Sequence, residues 1–228
     1  MFRYWWWICS GAIGLNCLFG QSVMALSAVE VGKIAKSVTV SIDSNNSVGS
    51  GVVIKKEGNT YTVLTAAHVV RNRQQEFKIT TPDGKNYPLV ATNIKATTDV
   101  DLAIVKFTSA ANYPIAKLGK VEAASEGSVV YVSGFPLATA AISTSIYNFT
   151  EGKVTANANR PLTGGYSLVY SNNTLPGMSG GPVFNEAGET IAIHGKGDVK
   201  EATETSTDRK STRLNSSHRN TSRMPSSA

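Results

Sequence analysis

The chain has 228 residues, of which 41% are hydrophobic and 17% charged, and it carries a formal net charge of +6. This composition excludes a long disordered or acidic chain, a collagen-like repeat and a coiled coil, and a chain of this length buries roughly 70% of its unfolded surface without needing a metal or a disulfide. Residues 26–200 hold 16 basic and 13 acidic side chains, with no basic run and no interleaving of aromatic with basic residues, so nucleic acid is not an expected partner.

The first element is a leader. Residues 1–25 begin with Arg3, continue through an apolar stretch from Trp5 to Phe19 and end on small residues around Ala25. That is the layout of a secretory signal peptide cleaved near Ala25. The stretch is shorter than the ~20 residues that span a bilayer, so a secreted or periplasmic product with no stable membrane insertion after cleavage is expected. Both cysteines, Cys9 and Cys17, lie in this leader. No disulfide framework or thiolate metal site is therefore expected in the remainder.

Residues 26–36, with apolar Val29, Val31 and Ile34, predict a short helix. Strand patterns follow over 37–43, 48–55, 60–65, 77–81, 88–94, 102–107, 128–133, 166–170, 182–184 and 190–194. Turn residues such as Glu57-Gly58-Asn59 and Pro82-Asp83-Gly84-Lys85 separate them. Many short strands with little helix mean an all-β sandwich or barrels, and residues 117–127 read as a joint between two halves. Residues 209–228 contain eight Ser or Thr, five Lys or Arg and no acid. They carry no apolar period. Residues 201–228 are expected to be a disordered or non-native tail, since their end resembles translated library or vector sequence joined to a truncated reading frame.

Three histidines are present: His68, His194 and His218, the last in the tail. His68 stands in Leu64-Thr65-Ala66-Ala67-His68 at the end of a predicted strand. Asp99 and Asp101 precede the apolar run Leu102-Ala103-Ile104-Val105. Leu175-Pro176-Gly177-Met178-Ser179-Gly180-Gly181-Pro182 can be neither helix nor ordinary strand. It predicts a tight loop presenting Ser179 and freeing backbone N–H groups. A serine hydroxyl needs an adjacent base, which His68 could supply, and a carboxylate to orient that base, which Asp101 could supply. The N–H groups of Gly177 and Ser179 could then hold an oxyanion. Gly177-Met178-Ser179-Gly180-Gly181 also fits a G-x-S-x-G elbow, but that arrangement needs a helix after the serine and its acid and histidine later in the chain. Gly180-Gly181-Pro182 is hostile to such a helix.

Thr65-Ala66-Ala67-His68, Asp101-Leu102-Ala103 and Gly177-Met178-Ser179-Gly180-Gly181-Pro182-Val183 resemble the three signature segments of trypsin-like (chymotrypsin-fold) serine endopeptidases, in the same order. The resemblance covers about residues 37–200 and implies two perpendicular six-stranded β-barrels with the catalytic site between them. Residues 26–120 would form the first barrel half, with His68 and Asp101, and residues 121–200 the second, with Ser179. The family's closing strand and C-terminal helix are expected to be missing. Cysteine-free residues 26–228 are similar to bacterial members. The finer pattern resembles bacterial glutamyl endopeptidases, in which a Thr or Ser stands five residues before the nucleophile and, in the staphylococcal type, a His fifteen after it. Thr174 and His194 occupy those places, and Gly195-Lys196-Gly197 would form the pocket wall. Asn173 stands where a trypsin-like pocket wants an acid.

The expected function is therefore a secreted serine endopeptidase with catalytic His68, Asp101 and Ser179 and an oxyanion hole from Gly177 and Ser179. Thr174, His194, Gly195 and Gly197 would bind substrate and prefer Glu or Asp before the scissile bond. No metal or organic cofactor is implied, the partner is a polypeptide substrate, and a monomer is expected. The competing reading is a catalytically silent module that holds peptides in the same cleft. No PDZ-like region follows residue 200, so a two-domain quality-control protease is not expected.

Overall fold

The computed structural model describes residues 25–45, 47–72, 74–140, 142–197 and 220–223. The expected leader, with both cysteines, and most of the expected tail, with His218, lie outside these residues.

Ser27 starts the one α-helix among the described residues. Its side chain accepts from the Glu30 N–H while the Glu30 carboxylate accepts from the Ser27 N–H, a reciprocal cap for α1 (Ala28–Val38). The buried face of α1 is Val31, Ala35 and Val38, at the four- and three-residue spacing of a helix stripe. Val29 points outward.

Seven antiparallel strands follow: β1 (Thr39–Ser44), β2 (Val48–Glu57), β3 (Thr60–Ala66), β4 (Phe77–Thr80), β5 (Asn86–Leu89), β6 (Ile94–Ala96) and β7 (Leu102–Thr108). They form one sheet in the order β5-β4-β1-β2-β3-β7-β6. The sheet curls around a core containing Val40, Ile42, Tyr61, Ile79, Val105 and Phe107. Along β7, Val105 and Phe107 face this core while Ile104 and Thr108 face outward, the period of two that the sequence carries. Six strands were expected here. The difference lies in the 88–94 run, which breaks at exposed Val90 and a 3₁₀ turn, Ala91–Asn93, into β5 and β6.

The second sheet is a closed barrel in the order β10-β13-β12-β11-β8-β9. It contains β8 (Val129–Gly134), β9 (Asn148–Asn157), β10 (Tyr166–Tyr170), β11 (Pro182–Phe184), β12 (Thr190–Gly197) and β13 (Asn220–Arg223). Two of these were not expected. β9 has one fully buried side chain, Val154, so it shows no alternation. Its Gly152 admits the buried Asn172 side chain, which donates from Nδ2 to the carbonyls of Val130 and Thr150 at 3.1 and 2.8 Å. β13 corrects the expectation of a missing closing strand. It pairs antiparallel with β10 and β12. Those two strands carry main-chain donors and acceptors that must be paired when the barrel closes, and a backbone of almost any sequence satisfies them. No C-terminal helix is present among the described residues.

The seam between the sheets is apolar and is filled by α1. Val31, Ala35 and Val38 pack with Val52, Leu64 and Leu102 of the first sheet and with Tyr131, Phe184 and Ile193 of the second. Each aliphatic side chain fully buried there contributes roughly 1.5–3 kcal/mol. The seam also carries a polar bridge, the Thr39 hydroxyl to the Ser133 hydroxyl at 2.8 Å. Among the described residues no helix is long and apolar enough to cross a membrane.

Candidate active site

Strand pairing brings the histidine and the aspartate together. β3 and β7 are antiparallel with Ala66 opposite Leu102. The next step of that register sets Ala67 against Asp101, and the Ala67 N–H donates to the Asp101 carbonyl at 3.0 Å. A 3₁₀ turn, Ala67–Val70, then swings His68 off the strand end. The Asp101 carboxylate meets it twice: Oδ1 accepts from the His68 backbone N–H at 2.8 Å, and Oδ2 lies 2.7 Å from the ring Nδ1. Nδ1 is thereby engaged and Nε2 is left for another partner.

A third group also holds this carboxylate. The Tyr166 hydroxyl donates to Asp101 Oδ2, and the Tyr166 ring packs where a side chain at Gly195 would stand. Burial pushes the Asp101 carboxyl up, but hydrogen bonds from His68 and Tyr166 and the nearby imidazole charge outweigh it and hold the carboxyl at about 2. Sequence patterning carried no sign of Tyr166, because its partner lies 65 residues away and on the other sheet. Replacing Tyr166 by phenylalanine is expected to raise the Asp101 pKa and to lower kcat by about tenfold, the worth of one hydrogen bond to a charged group. A pH–rate profile of the variant checks this; an unchanged kcat and unchanged acid limb would remove Tyr166 from the account.

The serine stands in the loop between β10 and β11. Gly177 and Gly180 adopt φ of +97° and +88°, the left-handed region that glycine tolerates. A side chain on Gly180 would come within 2.1 Å of the Ser50 carbonyl and 2.2 Å of the Thr65 hydroxyl. The loop therefore lies directly against β2 and against the stretch of β3 that leads to His68. The Ser179 carbonyl accepts from the Ser50 N–H at 2.8 Å. The Ser179 hydroxyl is half-buried and donates to the Gly195 carbonyl at 3.1 Å. No hydrogen bond joins it to His68 among the described residues. The Gly177 and Ser179 N–H groups have no acceptor among those residues.

The residues expected to bind substrate are placed as follows. Thr174 is buried before the loop, and His194 lies on β12 with only 3% exposure. His194 Nδ1 lies 2.7 Å from the Tyr170 hydroxyl. Burial, with a smaller contribution from the charge of His68, lowers its pKa to about 3, so this imidazole is neutral at ordinary pH. Gly195 is buried next to it, and Gly197 is exposed at the end of β12. Lys196 is exposed, with its Nζ 5.4 Å from the centre of the Tyr166 ring.

An open cavity of about 840 Å³ lies beside the pair, walled by His68, Asp99, Asp101, Gly164, Tyr166 and Lys196. Both sheets contribute to it, and the Asp101 N–H to Gly164 carbonyl bond of 3.2 Å ties its two walls. Among the described residues no cluster of three or more His, Cys, Asp or Glu could hold a metal ion.

Comparison with known proteins bears on the family and the fold. The chain is 29% identical over 198 residues to the protease Do-like 14 of Arabidopsis thaliana, covering 78% of this chain and 43% of that protein. It is 32% identical over 155 residues to a DegP-like periplasmic serine endoprotease of Halomonas elongata, covering 67% of this chain and 30% of that one. The chain thus spans less than half the length of either relative. The crystal structure of Deg5 superposes with a TM-score of 0.61 at 21% identity, covering 74% of this chain and 83% of that chain, a likeness of fold. The trypsin-like peptidase domain profile matches residues 49–193. With well over half of its residues matched and both sheets in place, the chain belongs to the trypsin-like peptidase domain family.

Proposed function

We propose that the chain is a serine endopeptidase whose nucleophile is Ser179, with His68 as general base and then acid and Asp101 as its orienting partner. The observation that carries this reading is the twofold hold of Asp101 on His68, at the backbone N–H and at Nδ1. It leaves Nε2 as the free basic nitrogen. In the reaction the Ser179 hydroxyl gives up its bond to the Gly195 carbonyl and donates to Nε2 instead. The imidazole takes the proton as Oγ bonds to the substrate carbonyl carbon, and the oxyanion forms against the Gly177 and Ser179 N–H groups. The amine leaves with the proton from His68. Water, deprotonated by the same imidazole, then releases the acyl group and restores Ser179.

The polypeptide lies in the cleft between the sheets. Thr174 and His194 favour Glu or Asp before the scissile bond. This rests on two buried donors, a hydroxyl and a neutral imidazole, and on the absence of an acid at Asn173, which would be wanted for Lys or Arg. Export through residues 1–25 is part of the reading, supported by the layout of that segment and by the Halomonas relative, which is named periplasmic.

A set of fluorogenic peptides differing only in the residue before the cleaved bond tests both the activity and its preference. Hydrolysis fastest after Glu, by about tenfold or more over Gln as expected for a charged hydrogen-bonding partner, is the predicted result. Fastest cleavage after Lys or an aromatic residue would remove the acidic-pocket reading, and no hydrolysis of any member by the folded chain would remove the peptidase reading.

A further inference from the structure

Ser50 belongs to β2 of the first sheet, yet it is bonded to the serine loop of the second. It is fully buried. Its hydroxyl accepts from the Phe135 N–H at 2.8 Å and donates to the Gly177 carbonyl at 3.0 Å. Its backbone N–H donates to the Ser179 carbonyl at 2.8 Å, and its carbonyl accepts from the Thr65 hydroxyl at 2.7 Å. One residue thus joins the strand leading to His68 with the loop that presents Ser179.

The direction of the two free N–H groups follows from how the loop's carbonyls are held. In a trans peptide the N–H points opposite to the C=O, and no cis bond occurs among the described residues. The Pro176 carbonyl accepts from the Leu137 N–H at 2.8 Å, so the Gly177 N–H faces the other way. The Met178 carbonyl accepts from the Gly181 N–H at 3.0 Å, which turns the Ser179 N–H to the opposite side. Between these peptides lies the Gly177 carbonyl, held by the Ser50 hydroxyl. Gly177 has no side chain and sits at φ +97°, so nothing of its own fixes its carbonyl. Packing is tight around the contact: a side chain on Gly134 would come within 2.8 Å of the Ser50 hydroxyl and 3.0 Å of the Met178 backbone.

We propose that Ser50 is a positioning residue for the oxyanion site, its hydroxyl clamping the Gly177 carbonyl so that the Gly177 and Ser179 N–H groups stay aimed into the cleft. The proposal rests on the serine-peptidase reading above. The N–H of the same peptide, that of Met178, donates to the Leu175 carbonyl at 3.1 Å, so without the hydroxyl the Gly177–Met178 peptide keeps one anchor of two and the donors lose alignment. That weakens binding of the tetrahedral state, where charge builds on oxygen, and spares binding of the uncharged substrate.

The test uses the full chain and its fastest fluorogenic peptide from the set above. In folded Ser50→Ala, kcat is expected to fall about 10- to 100-fold, less than or comparable to outright loss of one oxyanion donor. The inhibition constant of the matching peptide aldehyde should rise by the factor lost in kcat/KM. The dissociation constant of the intact peptide, measured in Ser179→Ala with and without Ser50→Ala, should change less than about twofold, since the clamp acts on the tetrahedral state. Ser50→Thr, which keeps the hydroxyl, should restore most of kcat. If Ser50→Ala does not fold, Ser50→Cys carries the same measurements, being close in size with only a weak S–H donor. A parent-like kcat in the folded variant, or equal weakening of aldehyde and intact peptide, overturns the proposal while leaving the peptidase reading in place. Absence of Ser179-dependent hydrolysis in the parent chain overturns both.

Discussion

Ser179→Ala is expected to fold as the parent chain does and to lose peptide hydrolysis by roughly a factor of 10⁶ in kcat, the scale at which a nucleophile's removal disables a triad acting as one unit. The fold should survive because the side chain contributes little to it. The Ser179 hydroxyl is half-buried and makes one hydrogen bond, to the Gly195 carbonyl. Losing such a bond costs about 1 kcal/mol. The backbone of the same residue is what holds the loop, through its carbonyl on the Ser50 N–H, and alanine keeps that bond. Thermal unfolding of the variant together with its kcat separates the two effects. Parent-like hydrolysis by Ser179→Ala would remove Ser179 as nucleophile.

Asp101→Asn is expected to lower kcat by about 10⁴. The carboxylate accepts at both oxygens from His68, at Nδ1 and at the backbone N–H, and Oδ2 also accepts from Tyr166. An amide cannot accept at all three: its NH₂ faces donors at one position. Either the imidazole is turned to the tautomer with its proton on Nε2, or the pair separates, and both leave the serine without a base. The same substitution has a signature in stability. The folded carboxyl titrates at about 2, below the ordinary aspartate range. A lowered pKa means that stability is fully present above the unfolded value of ~3.9 and is lost as pH falls through the folded one. The contribution is on the order of 2 kcal/mol, at about 1.4 kcal/mol per pH unit. Thermal unfolding between pH 5 and pH 2, followed in parent and variant, should show a smaller acid-side loss in Asp101→Asn. Parallel curves would contradict the assignment of that loss to Asp101.

The parts of this fold that were legible in the sequence are those in which burial repeats with the backbone. β7 alternates, and the Ser179 loop carries glycines where the chain turns left-handed or meets another backbone. β9 was not legible, because most of its side chains are exposed or only partly buried, and the close approach of Asn172 at Gly152 leaves no pattern in the sequence. β13 was not legible because its place depends on the open main-chain groups of β10 and β12, and main-chain pairing leaves little mark on side-chain type. Of the apolar residues that marked α1, Val29 lies outward and Val31 joins Ala35 and Val38 in the seam. In the site, His68, Asp101 and Ser179 stood out because each lies in a short segment with its own chemistry. Tyr166 and Ser50 act across 65 and 127 residues of chain, on Asp101 and Gly177, and only the tertiary arrangement joins those pairs. Gly49 and Gly51 beside Ser50 were a faint sign, as side chains there would overlap Val69 and Val63.

The central claim is that Ser179 is an activated nucleophile and the cleft more than a peptide holder. Reaction of the folded chain with a fluorophosphonate, followed by peptide mass spectrometry, tests it most directly. The account predicts covalent modification on Ser179, slowed by at least about 100-fold in His68→Ala, where the general base is absent. A folded chain left unmodified at Ser179, or modified equally fast without His68, would contradict it and favour the catalytically silent module.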